Sequence, residues 1–228
     1  MKPWQKRQWC IPTVSAAFVW RMEDVLDLYA EPLLEAYPVV CFDESPYQLS
    51  AETRQPIPAS PGVPTRIDYE YRRAGTCNLF LMVQPLTGWR QVTVTTQRTK
   101  QDFAHQMQVL VDIHFPHVTQ ISVVLDTLNT HTPAALYETF TPGEAKRLLD
   151  KLEFRYTPNH GSWLNMAEIE FSILHKQCLD RRLDTLAVVQ TEIAAWVAAR
   201  NHAKVMIRWQ FTCTQARTKR DHLYPSLP

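Results

Sequence analysis

The chain has 228 residues, 45% hydrophobic and 21% charged, with a formal net charge of +1. That length allows one compact domain with a sizeable core, while five glycines and sixteen prolines exclude collagen-like and low-complexity chains. No apolar run is long enough to span a membrane, the basic opening MKPWQKRQWCIP lacks the apolar stretch of a secretory signal, and Cys10, Cys41, Cys77, Cys178 and Cys213 show no CxxC spacing; together these point to a cytoplasmic chain with reduced thiols and no membrane partner.

Residues 1–20 read as an irregular lead-in with Trp4, Trp9 and Trp20, followed by a helix over 23–36 that Pro32 kinks or breaks. The run Val39, Val40, Cys41, Phe42 is short, continuous and β-branched, as in a strand buried on both faces. Five prolines and a glycine between 44 and 66 predict a long loop carrying Arg54 and Arg66. Strands over 78–83 and 90–96, joined through 85–88, form an antiparallel hairpin. Thr99 opens a helix to about His114, and 121–125 is a second buried-strand run. Thr141, Pro142 and Glu144 carry a helix-start signature, 152–156 is a short strand, and helices cover 163–179 and 185–200, the latter capped by Asp184. The domain reading is an N-terminal lead-in and helix over 1–38, a catalytic unit over 39–200 and a basic C-terminal segment over 201–228. From 200 to 220 there are six Lys or Arg and no acid, a pattern of either a solvated tail or a phosphate-contacting surface.

Two of the buried-strand runs end in an acid, Asp43 in VVCFDES and Asp126 in ISVVLDTLNTH. A helical crossover allows these strands to lie parallel and adjacent, which places both carboxylates at the edge where open α/β sheets bind ligands. On the helix after Trp163, Leu164, Ala167, Phe171, Leu174 and Cys178 form an apolar stripe at about 100° per residue. Glu168 falls on the shoulder of that stripe, and Glu170 is expected to face solvent. Taken singly, each of the three acids also fits a turn cap or a surface ion pair. Taken jointly, a carboxylate cluster calls for divalent cations to neutralise it, and oxygen-only ligands suit two Mg²⁺ or Mn²⁺ ions rather than zinc.

The strings YPVVCFDES, AGTCNLFLMVQPLTGWR, LDTLNTH, YTPNHGSWLNMAEIEFS and QCLDRRL resemble bacterial insertion-sequence transposases of the mariner-related superfamily, from about Lys2 to Pro225. The resemblance implies an RNase H-like fold, a mixed sheet flanked by helices, with a catalytic and metal-binding triad of Asp43, Asp126 and Glu168. It implies nicking of DNA at element ends, strand transfer into target DNA, and action as a homodimer on paired ends. The family's LNxxE signature matches Leu164, Asn165 and Glu168. His131 and His160 stand near the triad as accessory candidates. Arg54, Arg66, Arg72, Arg73, Lys204, Arg208, Arg217, Lys219 and Arg220 are candidate DNA contacts. Two departures are expected to matter: the family's N-terminal helix-turn-helix region would precede Met1, and Thr127 replaces the asparagine common after the second aspartate. A non-catalytic DNA-binding remnant and an RNase H-like nuclease of other substrate therefore stay open as alternatives.

Overall fold

A computed structural model of the chain describes residues 15–219 and Tyr224. The expected lead-in up to residue 14 and the candidate contact Arg220 lie outside the described residues. The helix expected over 23–36 is displaced: α1 spans Ala16–Ala30. Ser15 fixes its start by accepting the Phe18 N–H, and Glu31, extended before Pro32, ends it.

The sheet has five strands in the order β3-β2-β1-β4-β5: β1 Val39–Glu52, β2 Tyr71–Gln84, β3 Trp89–Thr95, β4 Ile121–Leu125 and β5 Leu152–Tyr156. β2 runs antiparallel to both β1 and β3, and β1, β4 and β5 run parallel. This is the mixed, helix-flanked α/β architecture expected from the sequence. The hairpin and the parallel β1–β4 pair are both present. One expectation fails: Asp43 does not end its strand, because β1 continues nine residues further and the loop shrinks to 53–70. Pro46 is tolerated because β4 pairs only as far as Cys41, so β1 is an open edge on that side beyond it.

Helices cover both faces of the sheet. On one face α1, α5 (Met166–Leu174), α6 (Leu186–His202) and α7 (Cys213–Lys219) pack on Cys41, Leu79, Leu81 and Val83. On the other, α2 (Lys100–Val109), α3 (Ala134–Thr139) and α4 (Pro142–Leu149) pack on Val40, Phe42, Phe80 and Val123. The Thr99 start is a capping box with Asp102, and α2 runs on as a wider π turn to His114. The expected 163–179 helix is three pieces, a 3₁₀ turn, α5 and a π turn. Thr185, not Asp184, caps α6, its hydroxyl accepting the Val188 N–H. Helices α3 and α7 were not anticipated. No helix among the described residues is long and apolar enough to cross a membrane.

Glu170 is the clearest correction. It is fully buried rather than solvated. Its carboxylate lies 2.8 Å from Arg90 Nε on β3 and accepts from Arg200 Nε on α6 at 2.7 Å. The helical wheel missed this because β3 and α6 cover the side of α5 that one apolar stripe leaves open. Asn201 completes the joint by accepting the Arg90 N–H and donating to the Arg90 carbonyl.

Candidate active site

Alternation along β1 sends Cys41 and Asp43 toward α5, and Phe42 and Glu44 toward α2. Asp126 follows directly on β4, so the parallel β1–β4 pair brings it alongside Asp43. Asn165 sets the third position. It caps α5 by accepting the Ala167 N–H, and its amide donates to the Phe42 carbonyl at 2.8 Å, one residue before Asp43. That clasp fixes the first turn of α5, which carries Glu168, against the strand that carries Asp43. Tyr29 of α1 adds a second tether through the Leu164 carbonyl at 2.8 Å.

Burial pushes the Asp43 carboxyl up to about 7, and the negative charges of Asp126, Glu44 and Glu168 push in the same direction against the Glu44 N–H that it accepts. Asp43 therefore feels the charge of both Asp126 and Glu168.

His131 sits behind them, 1% exposed, its ring between Phe42 and Phe103. Its Nδ1 donates to Asp126 Oδ1 at 2.6 Å, and its Nε2 lies 2.6 Å from Glu44 Oε2. The second contact is off-line for a hydrogen bond and acts as an ion pair. Burial alone would lower the His131 pKa, but Asp126 and Glu44 outweigh it and raise it to about 9. The imidazolium thus stabilises the fold fully below its unfolded pKa, and that contribution is lost as pH rises through about 9. Sequence reading missed Glu44, whose side chain is only 2% exposed.

A DDE superfamily endonuclease family matches residues 38–190. This chain belongs to the DDE endonuclease superfamily. Among solved structures, the superfamily member resembles a pre-cleavage Mos1 transpososome (TM-score 0.59, 13% identity, covering 98% of this chain and 67% of that one). It also resembles the Mos1 strand transfer complex (0.57, 14%, 88% and 62%) and the Mos1 mariner paired-end complex with Mn (0.56, 14%, 88% and 62%). At these identities the likeness shows the fold. The chain spans about three-fifths of the length of several of the Mos1 chains it matches. No curated protein is similar enough in sequence to match it.

Among the described residues of this DDE endonuclease chain, no three His, Cys, Asp or Glu side chains are gathered closely enough to enclose an ion. The donor set nonetheless fits a hard cation. Asp43 and Asp126 each tie Oδ1 to the protein and leave Oδ2 without a partner among the described residues, and the acids' mutual repulsion is what a divalent cation relieves. Because a ligand must lose its proton, Mn²⁺ affinity is expected to fall about tenfold per unit as pH drops below about 7 and to level off above it. Mn²⁺ titrations at three pH values check this; a flat profile contradicts it.

His131→Ala strands Glu44 without its buried counter-charge, and a loss of roughly 3 kcal/mol is expected in denaturant unfolding. His131→Asn, which can still offer an N–H toward Asp126, is expected to hold Mn²⁺ affinity closer to wild type than His131→Ala.

The candidate DNA contacts are scattered. Arg72 and Arg73 pair opposite Ala51 and Ser50, eight and seven residues along β1 from Asp43, a span of roughly 26 Å at its longest. Arg66 is exposed on the same arm, and Arg54 pairs with Asp68. Lys204, Arg208 and Lys219 are exposed, whereas Arg217 pairs with Glu23. His160, exposed, occupies the left-handed region at φ 61 in the turn beside Asp126.

Proposed function

We propose that the chain is a transposase catalytic core that cuts DNA strands and transfers them in cut-and-paste fashion, with Asp43, Asp126 and Glu168 as metal ligands and residues 39–200 as the catalytic unit. One observation supports the reading: the β1–β4 pair and the Asn165 clasp carry Asp126 and Glu168 to the side of the sheet where Asp43 lies, near enough for both charges to act on it. Membership of the DDE endonucleases supports it, as does a fold shared with Mos1 structures described as paired-end and strand transfer complexes.

Two Mg²⁺ or Mn²⁺ ions at these acids would activate a water or 3′-hydroxyl and offset charge on the leaving oxygen of an in-line displacement. The chain's own part is orientation. Asn165 holds Glu168 over the strand, and His131, backed by Glu44, turns one oxygen of Asp126 away from solvent and the other toward the reacting phosphate. DNA ends and target DNA are the partners, and the loop 53–70 with Arg54 and Arg66, together with Arg72 and Arg73 at the start of β2, extends toward DNA or a second protomer. Incubating labelled duplex DNA with protein and Mn²⁺ tests the reading. Metal-dependent nicks are expected; preferential cutting of an RNA–DNA hybrid would move the chain to another RNase H-like function.

A further inference from the structure

Beside Asp126 the acidic centre opens into a groove. Its near section is lined by Asp126, Thr127, Thr157, Asn159, His160 and Ser162. The far section is lined by Arg21, Phe18 and Ser15 of the α1 region and again by Asn159 and His160. Pro158, Asn159 and His160 line both sections, so one turn forms the shared floor of a track from Asp126 to Arg21.

That turn is firmly built. The Gly161 N–H donates to the Pro158 carbonyl at 2.8 Å, and a Cβ on Gly161 would meet the Pro158 ring at 2.5 Å. His160 is held in a backbone conformation that L side chains rarely adopt, and it is exposed. The Thr127 hydroxyl donates to Asn159 Oδ1 at 2.6 Å, so both N–H groups of the Asn159 amide are left without partners among the described residues. Thr127 therefore fixes which end of that amide is free.

The far section contains no acid. Arg21 has no carboxylate within ion-pair distance among the described residues, although its neighbours on α1 are paired, Glu23 with Arg217 and Asp24 with Arg155. Beside these carboxylates, a lining of donors with a guanidinium that has no acid partner among the described residues is complementary to a phosphodiester chain.

We propose that this groove seats the sugar–phosphate backbone of the DNA strand next to the bond being cut, with Arg21, His160 and the Asn159 amide as its phosphate contacts. The inference rests on the DNA-cleaving reading above and adds the path by which one strand leaves the reacting phosphate. It predicts contacts to backbone and none to bases, so the groove contributes affinity and register without sequence preference.

Salt-dependent binding of a fluorescent duplex to the whole chain tests it, comparing wild type with Arg21→Gln, Arg21→Lys and His160→Ala. Arg21→Gln is expected to lower the slope of log affinity against log salt by about 0.7 to 0.9, the signature of one lost phosphate contact, and Arg21→Lys to restore it. Unfolding temperature and Mn²⁺ affinity should be unchanged in both. Wild-type slope and affinity in both Arg21→Gln and His160→Ala overturn the groove while wild-type cleavage leaves the parent reading standing. A slope loss that Arg21→Lys fails to restore, with Mn²⁺ affinity falling alongside, also overturns it, because Arg21 would then act on the fold. A wild-type chain that neither binds nor cuts DNA removes both.

Discussion

Asp43→Asn is expected to abolish metal-dependent DNA cleavage and at the same time to make the metal-free protein more stable. The loss should be at least about 10³-fold, which corresponds to roughly 4 kcal/mol of transition-state stabilisation. The gain follows from the sign of its titration. Asp43 holds its proton more tightly folded, up to about 7, than its ordinary carboxylate value allows. Its ionised form therefore weakens the fold increasingly as pH rises from the usual carboxylate range to about 7, and fully above that. An uncharged amide removes that penalty, and a gain on the order of 2 kcal/mol is expected at pH 8 after allowance for partial solvent screening. Glu168→Gln, on the first turn of α5, should match the activity loss. Cleavage assays paired with denaturant melts at pH 8 check both halves; an inactive Asp43→Asn that is also less stable contradicts the shared-repulsion account.

The second large effect concerns stability. Glu170→Ala leaves Arg90, fully buried, and Arg200 without their carboxylate. Removing one partner of a buried ion pair costs about 3–5 kcal/mol. For a chain of this length that is a fall in melting temperature of roughly 10 °C. Because the same joint ties α5 to β3 and α6, Glu168 should lose its fixed position, and cleavage should fall even where the variant stays folded. A thermal melt within 2 °C or so of wild type would show that the pair is dispensable.

The sheet was legible where single runs carried their own signal. Val39–Phe42 and Ile121–Leu125 are apolar on both faces, so each reads as a buried parallel strand. Leu164, Ala167 and Phe171 are buried as the stripe predicted, but the ground for setting Glu170 aside, that it faces solvent, does not hold. What failed depends on partners distant in sequence. Glu170 is buried only because Arg90 and Arg200, eighty residues before and thirty after, arrive on its far side. Glu44 was hidden by the assumption that the strand stops at Asp43. Continued alternation along β1 puts Glu44 on the Phe42 face, where His131 meets it. Pro46 concealed that continuation, since proline marks a strand's end in sequence yet is harmless on an edge that has already lost β4.

The central claim is that Asp43, Asp126 and Glu168 together hold a pair of hard cations. A crystal of the chain soaked in Mn²⁺ and measured at the manganese absorption edge tests it most directly. Two anomalous peaks about 4 Å apart, each touching Asp43 and at least one of the other two acids, are the expected result. Manganese that binds elsewhere, or none at these acids at millimolar concentration while the crystal stays intact, would contradict it.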